Sequence, residues 1–196
     1  MNARRICDDG VVTALARAVE APPVVRMAVR ALRWSSDDDL RRRVYLDLLK
    51  EGKRGDVVAS AISCLADCGM HGEAEFVQVR DVALGSGSPM VLRSALGYFH
   101  RMVIFAKGAA IDAIGDFLYS RFPDVRASAA EKLRAFGDER WYGVVTGSGA
   151  DFARLARRQD PAHEPSIRKI LAANPKPDKY AKSLRGIIAS RACRWL

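Results

Sequence analysis

The stretch PDVRASAAEKLRAFG, residues 123–137, carries the clearest fold signal in the chain. It opens with Pro and Asp, which suit a helix start because Pro loses no hydrogen bond there and Asp accepts from free N–H groups. Val125, Ala129 and Leu133 are four residues apart and share one helix face. Gly137 follows at the point where a left-handed residue ends a helix. The stretch therefore predicts one amphipathic helix with both ends marked.

The same pattern, D-[VL]-x-x-x-[AV]-x-x-x-L-x-x-x-G, recurs from Asp39 and from Asp56, and looser copies of its apolar triplet begin at Val24 and Val91. The first apolar residues stand at positions 24, 40, 57, 91 and 125, so the later copies are 34 residues apart and the earlier ones half that. Helical spacing also occurs at residues 11–20, 73–84 and 109–119, with no convincing strand. The sequence therefore predicts an all-α protein in which antiparallel helix pairs stack as an α-solenoid.

The 196 residues suit one domain with its own hydrophobic core. Residues 10–137 hold the repeats. Residues 138–164 contain the glycine-rich stretch WYGVVTGSGAD and prolines, which predicts an irregular connection. In residues 165–196 we expect closing helices at 166–173 and 178–192. The predicted organisation is a single domain, residues 1–196, with a helical C-terminal cap.

Residues 10–137 resemble the HEAT-like repeat family. In the strongest match, Val125 and Arg126 stand where the family has its Val-Arg pair, and weaker matches are DLRRRVYLDLLKEG from Asp39 and PVVRMAVRAL from Pro23. The resemblance implies a right-handed α-solenoid of about four to five stacked helix pairs. The Asp that the family places several residues before the Val-Arg pair is absent, with Arg121 nearby instead. This absence argues against the family's ladder of Asp–Arg contacts between repeats.

The chain is basic, with a formal net charge of +9. Residues 165–196 hold eight basic residues against Asp178 alone, so the rest of the chain is close to neutral. Such a segment favours contact with an acidic protein or a nucleic acid. No uncharged run is long enough to span a membrane, and the charged N-terminal residues MNARRICDDG do not match a signal peptide. We expect a cytoplasmic protein that makes no membrane contact.

Arginine recurs on the polar sides of the repeat helices. In the HEAT-like family the second helix of each pair usually lines a concave face, and stacking in register would join these arginines into a positive strip that leads to the basic C-terminal segment. The alternative is a solvated face balanced by acids elsewhere. The candidate partner-binding residues are Arg26, Arg30, Arg33, Arg42, Arg93, Arg101, Arg134, Arg168, Lys169, Lys176, Lys179, Lys182 and Arg185.

No group of residues in the sequence points to catalysis. Asp37, Asp38 and Asp39 stand where a helix begins, which favours capping over metal binding. Cys64 and Cys68 lack nearby Cys or His residues for a zinc site, so we expect both in the core. The glycines of residues 146–151 lack the Gly-Lys-Ser/Thr of a phosphate-binding loop. We therefore predict no catalytic, cofactor or metal site, and a protein that is not an enzyme.

Two functional hypotheses remain. The favoured one is a non-enzymatic protein-binding α-solenoid, acting as an adaptor or as a neutralising immunity protein that masks an acidic surface of a bacterial toxin. The alternative is a nucleic-acid-binding protein that uses the basic face and C-terminus. It includes an enzyme like the DNA glycosylases built on HEAT-like repeats, which use basic surfaces with Trp and Asp; this chain has Trp34, Trp141 and Trp195. The oligomeric state stays open.

Overall fold

The computed structural model describes residues 22–51, 54–138 and 164–173, together with Lys182, Arg185 and Gly186. In this part of the chain there are eight α-helices and no strand, which confirms the predicted all-α class for the described residues. The helices are α1 Pro22–Ala31, α2 Asp38–Glu51, α3 Gly55–Asp67, α4 Glu73–Leu84, α5 Pro89–Met102, α6 Lys107–Asp116, α7 Pro123–Ala135 and α8 Glu164–Ala173. Short 3-10 turns, Leu32–Trp34 and Phe117–Tyr119, extend α1 and α6.

The helices predicted between the repeats are found where their apolar spacing places them. The prediction at 73–84 matches α4, and that at 109–119 matches α6 with its 3-10 turn, two residues longer at the start. The prediction at 166–173 is α8, which begins at Glu164. The expected helix at 11–20, the connection over 139–163 and most of the closing helix at 178–192 lie outside the described residues.

The acidic starts of the helices follow the expected chemistry. Asp37 accepts a hydrogen bond from the backbone N–H of Leu40 at 2.8 Å, so the cap predicted from the three aspartates is confirmed at the first of them. Asp56 and Asp124 lie in the first turns of α3 and α7, where their charge faces the positive end of the helix dipole.

The glycines that close two copies of the pattern adopt the conformation expected of them. Gly69 and Gly137 have φ angles of 69° and 73°. Beyond them, the N–H of Met70 donates to the Leu65 carbonyl at 3.1 Å, and the N–H of Asp138 donates to the Leu133 carbonyl at 2.9 Å. These are Schellman ends, in which a left-handed residue lets the chain turn back and satisfy a free carbonyl.

The helices pack so that alternate members meet. Helices α1, α3, α5 and α7 contact one another in series, and we call them the odd row. Helix α2 packs on α3 and α4, α4 on α5, and α6 on both α5 and α7, while α8 packs on α4. The 34-residue spacing of the later copies is therefore the step from one odd-row helix to the next. The copy at Leu40 belongs to α2, outside the row, which explains the half-length spacing early in the chain.

The apolar triplets of the pattern form the core. In the odd row the middle residue of every triplet is a buried Ala, which lets neighbouring helices approach closely. The buried members of the odd-row triplets are Ala28, Leu32, Val57, Ala61, Leu65, Val91, Ala95, Phe99, Val125, Ala129 and Leu133. These contacts support stacked helix pairs, while the solenoid arrangement and its right-handed twist stay predictions. Among the described helices, none is both long and apolar enough to cross a membrane.

Candidate partner-binding face

The odd-row arginines pair with aspartates on a neighbouring helix of the row. At the N-terminal ends, Arg26 Nε on α1 lies 3.8 Å from Asp56 on α3, and Arg93 on α5 contacts Asp124 on α7. At the C-terminal ends, Asp67 on α3 receives two guanidinium groups. Arg33 from the turn after α1 lies 4.0 Å away, and Arg101 on α5 donates to the same carboxylate. The paired ends show that α1, α3 and α5 run in the same direction.

These ion pairs correct the picture of a continuous positive strip. Of the arginines predicted for it, Arg26, Arg33, Arg93 and Arg101 pair with three aspartates, Asp56, Asp67 and Asp124. These acids neutralise part of the charge at the four positions and leave an excess of arginine. An Arg–Asp ladder does connect the repeats, but it uses other positions than the one at which the sequence lacks the family's Asp.

Arg42 does not belong to this face. It lies on α2, and its Nε is 2.7 Å from the carboxylate of Glu75, whose side chain is 2% exposed. The sequence placed Arg42 with the others because the pattern repeats at half the usual spacing there. Its pairing with a buried acid on α4 instead makes it a structural contact between two helices outside the odd row.

Neighbouring arginines lower the pKa values of the aspartates at the N-terminal ends of α3 and α7. The hydrogen bond from Arg93 holds the pKa of Asp124 below its usual range. For Asp56, burial raises the pKa, but hydrogen bonds of 2.8 and 3.2 Å from Arg54 and its positive charge outweigh this and lower it. Because the side chains of Arg93 and Asp124 are about half in solvent, that pair contributes at most about 1 kcal/mol to stability. A partner can therefore replace such an ion pair with little loss of folding free energy.

A groove of about 390 Å³ opens between α1 and α5, with α3 as its floor. Arg30 and Arg33 form one wall, Met90 and Ser94 the other, and Ser60 and Ser63 lie on the floor. Within the described residues, Arg30 makes no ion pair. Among the described residues it is thus the arginine of this face without an acidic partner.

Exposed apolar side chains lie on α1, on the turn after it and on the α5 wall of the groove. Met27 and Trp34, on α1 and the turn after it, are 71% and 64% exposed, and Met90 is half-exposed on the opposite wall. The guanidinium of Arg33 lies over the Trp34 ring, 5.0 Å from its centroid. Side chains of this kind, together with Arg, are enriched in the surfaces where proteins bind each other.

The remaining predicted residues lie elsewhere. Arg134 is exposed on α7. Arg168 pairs with Glu164 along α8, and Lys169 on that helix lies 2.6 Å from Asp81 of α4, so these two stand apart from the odd row. Lys182 and Arg185 are exposed, while Lys176 and Lys179 lie outside the described residues. The structure therefore brings together Arg26, Arg30, Arg33, Arg93 and Arg101 as one face.

Sequence reasoning missed the residues that shape the groove. Ser60 and Ser63 lie between the apolar positions of α3, and Ser94 holds the equivalent outward place on α5. The signal was available: small residues recur on the outward side of two neighbouring repeat helices, where long charged side chains are usual. The groove can be predicted from these residues only when it is known which helices are neighbours.

The two cysteines differ in their burial. Cys64 is buried, as predicted, and burial raises the pKa of its thiol to about 11. Cys68 is partly buried at the edge of the core, against which it packs, and its Sγ accepts from Arg41 at 3.7 Å. Among residues 22–51, 54–138 and 164–173, no three His, Cys, Asp or Glu side chains are grouped to hold a metal ion.

His71 gives the fold a pH dependence. Its ring stacks on Phe105 with centroids 4.4 Å apart, and burial lowers its pKa; the charge of Arg101 acts in the same direction, while the Met70 backbone and Glu75 oppose it. In the unfolded chain His binds a proton near pH 6.5. The unfolded state therefore binds more protons below that pH, and stability falls as pH falls.

We expect the free energy of unfolding to decrease from about pH 7.5 to about pH 5.5, and to decrease less in His71→Phe, which keeps an aromatic ring against Phe105. Urea unfolding followed by circular dichroism at both pH values measures this. His100, whose pKa is also lowered by burial, keeps part of the dependence in the variant. Equal pH dependence in wild type and variant would contradict the assignment to His71.

Comparison with protein-family models, with curated proteins and with solved structures finds no match to this chain.

Proposed function

We propose that this chain is a non-enzymatic protein-binding module of HEAT-like repeats that binds an acidic partner protein on the odd-row face. The observation that carries the proposal is Arg30, an arginine without an ion pair in the described residues, on the wall of a groove bordered by exposed Met and Trp side chains. An exposed arginine that forms no ion pair with the described residues is available to a partner.

The composition of the face supports a protein partner. Binding surfaces are enriched in Met, aromatic residues and Arg, and this groove has all three at its edges. Its volume of about 390 Å³ lies within the range of roughly 300–1,000 Å³ typical of ligand sites. The exposed Arg–Asp pairs around it contribute little to folding, so a partner's carboxylates can compete for the same guanidinium groups.

The aspartates of the face favour protein over nucleic acid. Asp56, Asp67 and Asp124 place negative charges among the arginines, at the N-terminal and the C-terminal ends of the odd-row helices. A nucleic acid presents a phosphate charge at every nucleotide, so a surface that follows its backbone has to avoid acids. A protein partner can place its acidic side chains at the arginines and have no negative charge next to the aspartates. In this role the chain would act as an adaptor or as an immunity protein that covers an acidic surface of a toxin.

Affinity isolation with three forms of the full chain tests the proposal. Tagged wild type, Arg30→Glu and Arg43→Glu are used as baits in the native cells, each with and without nuclease treatment. Arg43 is an exposed arginine on α2, away from the groove, so its variant has the same change in charge.

We expect one protein to remain with wild type and with Arg43→Glu after nuclease treatment, and about a tenfold loss with Arg30→Glu, the effect of removing one charged hydrogen-bonding group. Loss of all bound protein on nuclease treatment would overturn the proposal in favour of nucleic-acid binding. Equal recovery by the three baits would remove the odd-row face as the binding surface.

A further inference from the structure

The groove between α1 and α5 has a chemistry that identifies its ligand more closely. Its floor on α3 includes the small side chains of Ala59, Ser60 and Ser63, of which Ser63 is exposed and the other two are buried. Its two walls are different: Arg30 stands on one and Met90 on the other. A ligand in the groove therefore meets a cation, a polar floor and an apolar side chain together.

The floor offers hydrogen-bond acceptors. Ser60 Oγ donates to the Asp56 carbonyl and Ser63 Oγ to the Ala59 carbonyl, both at 2.9 Å. Ser63 Oγ is also hydrogen-bonded to Ser94 Oγ on the opposite wall at 3.2 Å. Because a hydroxyl has one proton, Ser60 Oγ and Ser63 Oγ have lone pairs but no further proton to offer. The carboxylate of Asp67, at the end of the floor, is also an acceptor. The floor thus suits a ligand with N–H groups.

The wall on α1 offers donors. Arg33 is already held between Asp67, at 4.0 Å, and the Trp34 ring. Arg30 has its guanidinium free to make the two parallel hydrogen bonds that arginine forms with a carboxylate. The charged residues of the groove lining, Arg30, Arg33 and Asp67, sum to one positive charge, which a single carboxylate balances better than a doubly charged phosphate does.

We propose that this groove binds a short peptide segment of the partner in which Asp or Glu stands next to a large apolar residue. The carboxylate pairs with Arg30, backbone N–H groups donate to the serine oxygens of the floor, and the apolar side chain packs on Met90. A peptide supplies donors and acceptors together, whereas a phosphodiester supplies acceptors alone. The inference rests on the proposed function and names the feature of the partner that the groove recognises.

Peptide titration of the full-length, 15N-labelled protein tests it. The probe is the peptide acetyl-ALEALEA-amide at millimolar concentration, and the matched control is acetyl-ALQALQA-amide, which differs only in its carboxylates. Sodium phosphate and an oligothymidylate are titrated in parallel. Arg30→Gln and Arg43→Gln are tested with the Glu peptide, and thermal unfolding verifies that both variants are folded.

We expect the Glu peptide to shift the amide signals of Arg30, Ser63 and Ser94, with about tenfold weaker binding by the Gln peptide and by Arg30→Gln, and unchanged binding by Arg43→Gln. Overturning results are an absence of shifts at these residues, equal binding of the two peptides, or phosphate or oligothymidylate giving the same shifts. If the groove fails while Arg30→Glu still loses the partner in affinity isolation, the peptide assignment is wrong and the protein-binding function stands. If isolation yields no protein, the function itself fails.

Discussion

Replacing Phe99 by Ala is expected to lower the free energy of unfolding by about 4 kcal/mol, the largest effect of any substitution proposed for this chain. Phe99 is 0% exposed, and its ring joins three elements. The ring centroids of Phe76 on α4, Tyr98 on α5 and Phe117 in the 3-10 turn after α6 lie 5.1, 5.5 and 6.0 Å away. Truncation removes these contacts and leaves a cavity that several helices would have to move to fill.

Urea unfolding of Phe99→Ala and wild type, followed by circular dichroism, measures the loss. Val77→Ala is the control, since Val77 is apolar but half-exposed on α4, and we expect it to cost at most about 0.5 kcal/mol. Domains of this size have total stabilities of roughly 5–15 kcal/mol, so Phe99→Ala would remove a large part of the free energy of unfolding. Equal costs for the two truncations would show that Phe99 does not lie at the centre of the core.

Replacing Arg80 by Met is expected to lower the free energy of unfolding by about 3 kcal/mol. The guanidinium of Arg80 on α4 contacts Asp116 of α6 through Nε at 2.8 Å and Nη2 at 2.6 Å, and the carboxylate is 0% exposed. Nη2 also reaches Ser166 Oγ of α8 at 3.5 Å. Methionine fills a similar volume but leaves a buried negative charge without the guanidinium that balances it.

The double variant Arg80→Met, Asp116→Leu separates charge from packing. Since it removes the buried charge as well, we expect it to be more stable than Arg80→Met alone. Arg168→Met is the control, because Arg168 pairs with Glu164 on the exposed surface of α8 and should cost at most about 0.5 kcal/mol. A cost for Arg80→Met as small as for Arg168→Met would mean that solvent already reaches Asp116.

Local rules predicted much of the fold. Helix ends at Gly69 and Gly137 and the cap at Asp37 depend on residues within one turn, so they can be read from consecutive positions. The consecutive positions do not show which helices belong to the odd row. The copies at Leu40 and Val57 have the same pattern, yet one lies in α2 and the other in the odd row, because the pattern records which face is buried and not which helix covers it.

The sequence predicted the arginines of the candidate face but not the aspartates that pair with them. Arg33 and Asp67 are 34 residues apart, as are Asp67 and Arg101, which is the length of the repeat itself. Opposite charges one repeat apart were therefore a usable signal for contacts between neighbouring helices. Arg42 and Glu75 are separated by nearly the same distance, and no property of the sequence shows that this acid is buried.

The shared carboxylate of Asp67 has a further consequence for recognition. Two guanidinium groups meet one carboxylate there, so the cluster has a stoichiometry of two cations to one anion. A partner carboxylate that binds at this end can neutralise the second positive charge without displacing Asp67. Both arginines then keep their existing contacts. Binding at this end would then proceed by addition of a counterion. The same holds for Asp56, which Arg26 and Arg54 share, and the contrast is with the Arg93–Asp124 pair, in which one arginine has one aspartate.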